Sequence, residues 1–170
     1  MGHIITECPI IPDPQLNWQE LPAAFERAVS DAMKMIRGTG ITTPIDVGLK
    51  KFTGEQRCWL ALYERESQFD GVPKFWVNEQ TPGIMDAAVL PQRVTVEEVM
   101  VDSVVHEFGH VIEEWAIQNS SDLYALIYGP FSDEEDFSEY LIDYLRNQED
   151  WTQRRSVMDK VIKAYAKDVF

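Results

Sequence analysis

A chain of 170 residues, 45% hydrophobic and 11% aromatic, is long enough to bury the core of one domain and short enough to need no second. Its formal charge of -14, from 29 Asp and Glu against 15 Lys and Arg, repels phosphate backbones and anionic headgroups, so nucleic acid is not an expected partner. No window reaches the roughly eighteen apolar residues of a membrane span, and the N-terminus lacks the basic stretch and continuous apolar run of a classical signal peptide. The location stays unknown, because cytoplasmic use and export by a specialised route both fit this pattern.

Residues 1 to 16 contain Pro9, Pro12 and Pro14, which fix φ and remove backbone donors, so this segment is expected to be an extended arm. Its first six residues, Met1 to Thr6, fit the loose N-myristoylation pattern, against the plainer reading of an unmodified start. From Asn17 to Arg37, Leu21, Phe25, Ala28, Val29, Ala32, Met33 and Ile36 recur at helical spacing, with Asn17 as N-cap and Gly38 as stop. That apolar face is expected to pack on a sheet. Strand-like runs follow at Ile45 to Phe52, Arg57 to Glu64 and Lys74 to Asn78, broken by Thr53-Gly54 and by Asp70-Gly71-Val72-Pro73. Cys8 and Cys58 match no metal-knuckle spacing and read as two free thiols, although an oxidising compartment would let them pair.

Thr95 to Asn119 reads as one long helix, opened by a Thr95/Glu98 capping box and burying Val101, Val104, Val105, Phe108, Ile112 and Trp115. After an irregular stretch holding Tyr124, Tyr128, Gly129 and Pro130, a helix is expected from Ser132 to Arg146, with Phe137, Tyr140, Leu141, Tyr144 and Leu145 inward. A last helix fills Trp151 to Ala166. The fold class is therefore α+β, a single domain over residues 1 to 170 with an N-terminal helix, a small mixed sheet of about three strands and three later helices.

His106-Glu107-Phe108-Gly109-His110 lies in the middle of the long helix. Residues four apart share a helix face, so both imidazoles can reach one metal ion, and Glu107 beside them can act as general base on a water. The competing reading is of two ordinary helix histidines satisfied by Glu113 and Glu114. Two histidines leave a tetrahedral zinc one protein ligand short, with the last position open for water. The position ten residues after His106 is Ala116 and the only other histidine is the remote His3, so a carboxylate is left. Glu135 and Glu139 share one face of the acid-rich helix that follows, and either can bind metal while the other supports a histidine. Taken alone, those acids would read as the ordinary acidic start of a helix.

With HEFGH, the same acids resemble the glutamate helix of gluzincins, zinc peptidases whose third ligand is a glutamate. The sequence His106-Glu107-Phe108-Gly109-His110, then Tyr128-Gly129 and Glu135-Asp136-Phe137-Ser138-Glu139, resembles the peptidase domain of anthrax lethal factor and the similar Pro-Pro endopeptidases. The likeness covers about a quarter of the chain, and residues 1 to 90 carry none of its motifs. In that group a tyrosine stands seven residues before the glutamate ligand, as Tyr128 stands before Glu135. Choosing Glu139 would put Ser132 at the tyrosine position, and choosing Glu134 would put Ile127 there and make Ser138 the residue that supports a histidine. The resemblance thus implies one Zn2+ held by His106, His110 and Glu135, with Glu107 and Tyr128 catalytic and Glu139 orienting a histidine. It implies a minimal zincin fold and a monomeric endopeptidase acting on a protein or peptide, with a role as toxin or effector among its associations. An edge strand commonly takes up the peptide in such folds, and Lys74 to Asn78 is the candidate. Two other readings are a noncatalytic zinc-stabilised binding module, such as a virion or secretion-system component, and a zinc hydrolase of nonpeptide bonds.

Overall fold

The computed structural model describes residues 20–87, 95–146 and 152–168. Among them the chain is mixed α+β, with six α-helices and a three-stranded sheet. The first helix, α1 (Leu21–Arg37), begins where Pro22 can occupy the first turn without removing a needed donor, and Glu20 flanks it with no side-chain cap. The expected cap, Asn17, and the extended arm lie outside the described residues. Gly38 follows the helix but keeps a right-handed φ of -60°, and the left-handed turn falls at Gly40, φ 93°. Leu21, Ala28, Ala32 and Ile36 are buried.

The strands are β1 (Asp46–Lys50), β2 (Ala61–Glu64) and β3 (Lys74–Asn78), in the order β1-β3-β2. β1 runs parallel to β3, with Asp46 opposite Lys74 and Lys50 opposite Asn78, and β2 runs antiparallel to it, with Leu62 opposite Trp76. Lys74 to Asn78 is therefore the central strand. Its backbone groups are consumed on both sides, so it cannot accept an added peptide, and among the described residues the edges of the sheet are β1 and β2. That corrects the expected edge strand, a point periodicity cannot decide because it reads faces rather than neighbours.

Cys58, 4% exposed just before β2, is disulfide-bonded, which corrects the free-thiol reading. Separation along the chain sets no limit on approach in a folded domain. Cys8 lies outside the described residues.

A short helix, α2 (Thr81–Ala87), follows β3, and α3 (Val96–Asn119) then runs through the middle of the fold. Its N-terminus is closed by the predicted capping box: Glu98 N donates to Thr95 Oγ1 at 3.1 Å and Thr95 N to Glu98 Oε2 at 3.2 Å. Val101, Val104, Val105, Phe108 and Ile112 are all buried. Each contributes about 1.5–3 kcal/mol by leaving water. α1 packs chiefly on α3 rather than on the sheet, while β2 and β3 meet α3 elsewhere along its surface.

The stretch expected to be irregular holds a helix, α4 (Ser121–Ile127), capped by Ser120, whose side chain accepts from Leu123 N at 3.2 Å. Next come α5 (Glu134–Leu145), capped by Asp133, and α6 (Gln153–Asp168). α5 lies along α3 and is tied down at both ends. Near its start, Arg154 of α6 grips Asp136 with two bonds of 3.0 and 2.8 Å, and at its end Arg146 pairs with Asp102 of α3. No helix of the described residues is long and apolar enough to cross a membrane.

Candidate metal centre

His106 and His110 sit one turn apart on the side of α3 that faces α5, and Glu135 and Glu139 sit one turn apart on the facing side of α5. The pairs interlock. His106 Nε2 is 2.9 Å from Glu135 Oε2, His110 Nε2 is 3.1 Å from Glu135 Oε1, and the two Nε2 atoms are 3.2 Å apart. On its other side, His106 Nδ1 lies 2.8 Å from Glu139 Oε1. His110 Nδ1 faces Ser138 Oγ at 3.3 Å. Glu113 and Glu114 partner neither ring. Glu113 is engaged by Tyr128 and Glu114 by Arg65, so the histidine partners come from α5.

Two ring nitrogens and the two oxygens of one carboxylate directed at one another repel unless protons or a cation lie between them. In the metal-free chain the proton sits on His106. Burial disfavours its charge, but hydrogen bonds to Glu135 and Glu139 and the nearby Glu107 carboxylate outweigh that and raise its pKa to about 10. Bonds from His106 and His110 hold the Glu135 carboxyl far below the ordinary carboxylate range. At Glu139 burial favours the neutral form, but the contact with His106 wins and the pKa falls.

The same triangle fits a zinc ion. A tetrahedral site with bonds of about 2.0–2.1 Å puts its ligand atoms about 3.3 Å apart. The two rings are 3.2 Å apart at Nε2 and meet the two different oxygens of Glu135 at 2.9 and 3.1 Å, all close to that edge. Neutral imidazole and carboxylate are suitable donors for zinc. Because His106 carries a proton up to pH about 10, zinc added near neutrality is expected to displace about one proton. Calorimetry in buffers of different ionisation enthalpy should read that release. It should vanish as the pH passes the His106 pKa, and release of no proton at pH 7 would contradict this ligand set.

The Glu107 carboxylate stands within 4.8 Å of both ring nitrogens, and the side chain is 9% exposed. Burial raises its pKa, with the charges of His110 and His106 opposing the rise. A carboxylate shifted upward is a stronger base and its conjugate acid remains available as a donor, which suits proton transfer in both directions. Tyr128, at the C-terminal end of α4, donates from its hydroxyl to Glu113 Oε1 at 2.9 Å and lies beside Tyr124, ring centroids 4.6 Å apart. Burial raises the Tyr128 pKa, as do the bond to Glu113 and its charge. Glu113 itself is 1% exposed and shifted upward by burial, with the Tyr128 bond acting the other way.

Arg65 and the close approach at Gly109 escape motif reading, and Glu134, weighed above as a ligand, joins the cluster as well. Arg65, just beyond β2, lies 3.8 Å from Glu114 and 3.5 Å from Glu134, linking the free-edged strand to α3 and α5. Glu134 is also close enough to His110 and Glu135 to belong to the same donor cluster, so the acids of this first turn stay near one another. Gly109 sits against Ser138: a Cβ there would fall 2.7 Å from Ser138 Oγ and 2.8 Å from its Cα. A glycine between two expected ligands, facing a serine three residues past the third, was the only available signal of that contact. No protein-family model, curated protein or solved structure gives a significant match to this chain.

Proposed function

We propose that the chain is a zinc-dependent endopeptidase of gluzincin type. The observation that carries the reading is the convergence of His106 Nε2, His110 Nε2 and the Glu135 carboxylate from two separate helices to separations of 2.9–3.2 Å, with Glu107 beside them. A structural zinc site favours four closed protein ligands and requires no buried base at its side. One Zn2+ held by those three residues would supply Lewis acidity toward the scissile carbonyl and toward a water. Glu107 takes the proton of the attacking water and returns it to the departing amine. Tyr128 exchanges its Glu113 acceptor for the oxygen that gains charge at the carbonyl, where a preorganised donor is worth about 3 kcal/mol. Glu139 keeps the His106 ring oriented through Nδ1.

With β3 central, β2 is the strand to which a substrate peptide adds, since its outer edge carries no strand among the described residues and Arg65 at its end reaches both site helices. The disulfide at Cys58 favours an oxidising compartment over a reducing cytosol as the place of action. The test is an unbiased peptide library incubated with the chain, with and without chelator, alongside zinc stoichiometry. Cleavage that chelation abolishes and zinc restores is expected. Stoichiometric zinc with no cleaved peptide would turn the reading toward a zinc-stabilised binding module.

A further inference from the structure

Each metal-facing imidazole has a second ring nitrogen, and α5 supplies a different group to each. His106 Nδ1 meets a carboxylate, whereas His110 Nδ1 meets the Ser138 hydroxyl at 3.3 Å. Ser138 is fully buried and His110 is 5% exposed, so water is a poor substitute partner for that nitrogen. If His110 Nε2 gives its lone pair to a cation, the ring proton must reside on Nδ1, and a buried N–H with no acceptor is destabilising. The serine oxygen is the acceptor within reach. It gets there because Gly109 lacks a side chain: Ser138 Cα, Cβ and Oγ all occupy the space a Cβ at Gly109 would need, at 2.8, 2.9 and 2.7 Å.

We propose that Ser138 is a positioning residue of the metal centre, accepting a hydrogen bond from His110 Nδ1–H and thereby reserving His110 Nε2 for the metal ion. A hydroxyl suits this place better than a second carboxylate, since it can rotate to donate to Nδ1 in the metal-free chain and accept from it in the loaded one. Ser138 stands one turn beyond Glu135 on the same helix, so the contact that orients His110 also fixes how far Glu135 reaches toward α3.

The proposal rests on the metal reading of the site and is tested apart from catalysis. Zinc affinity is measured by competition with a chromophoric chelator for the wild-type chain and for Ser138→Ala, together with the thermal midpoint of each metal-free chain. Loss of a ligand's supporting partner typically weakens binding about 10–100-fold, and a loss in that range with little change in midpoint is expected. In zinc-loaded wild type, NMR should show a slowly exchanging His110 Nδ1 proton with a cross-peak to the Ser138 β protons. That signal should be absent from Ser138→Ala. Equal zinc affinity in the two chains would overturn the role of Ser138 alone, and wild type that takes no zinc would overturn the metal reading with it. Should Ser138→Ala fail to fold, the wild-type spectrum decides, because a rapidly exchanging His110 Nδ1 proton there removes the proposed bond.

Discussion

Glu107→Gln is expected to lower peptide hydrolysis by about 10²–10⁴-fold while the chain stays folded and binds zinc as before. The amide has the shape of the carboxylate, so packing around this buried side chain is retained. Residue 107 is none of the three proposed ligands, and the amide can neither take a proton from water nor return one to an amine. Stability should hold as well: burial already penalises the charged form of Glu107, so a neutral isostere removes a cost near neutral pH rather than adding one. The wild-type profile carries a matching signature. Burial raises the Glu107 pKa in the metal-free chain and a bound zinc ion would pull it back, so the acid limb of kcat/KM should report protonation of this one base and be absent from Glu107→Gln. Turnover and zinc content measured on one preparation settle the matter. Undiminished hydrolysis by a zinc-loaded Glu107→Gln chain would place the proton acceptor elsewhere.

The part of this site carried by one helix was readable from the sequence, because spacing along a helix is geometry. His106 and His110 are four apart and therefore share a face whatever surrounds them. The Thr95/Glu98 capping box is local in the same way, and the structure closes it as expected. The α5 partner is a different case. Spacing placed Glu135 and Glu139 on one face, but that α5 lies with that face on α3 depends on contacts remote in sequence, including Arg146 with Asp102 and Arg154 with Asp136. The two acids divide their work by depth along α3: Glu135 reaches both Nε2 atoms and Glu139 meets the outer nitrogen of His106.

The misreadings share a physical cause. An alternating pattern states which side chains face the core and is silent on which strand lies beside which, so nothing in Lys74 to Asn78 marks it as the centre of the sheet rather than an edge. An amphipathic α1 states that something apolar covers it without distinguishing a helix from a sheet. The α4 segment was hidden by its exposed apolar residues: Tyr124 and Leu126 are 40% and 37% exposed, and that blurs the period that would have marked a helix. Tyr128 shows the limit of motif register. Its place seven residues before Glu135 is a matter of counting, whereas its hydroxyl rests on Glu113, a residue the motif does not contain.

Gly109→Ala sets two opposing magnitudes against each other at the same contact. In a free helix the change would help, because alanine is favoured over glycine by about 1 kcal/mol in a helix interior. Here the added methyl would stand 2.8 Å from Ser138 Cα, which is backbone and cannot rotate aside. Overpacking of that kind costs about 1–3 kcal/mol, so the net change in stability should be small or moderately unfavourable. Metal binding is far less forgiving. Restoring ordinary van der Waals contact of about 3.5 Å or more requires α5 to retreat by roughly 0.7 Å, whereas metal–ligand distances tolerate only about 0.2 Å. Glu135, one turn from the point of collision, would be carried away from His106 and His110. Zinc affinity is therefore expected to fall at least about 100-fold for a modest change in thermal midpoint, and hydrolysis should be restored only partly by excess zinc. A Gly109→Ala chain that binds zinc as tightly as wild type would show that α3 and α5 can separate without opening the donor triangle, and that the close approach at Gly109 does not set the site.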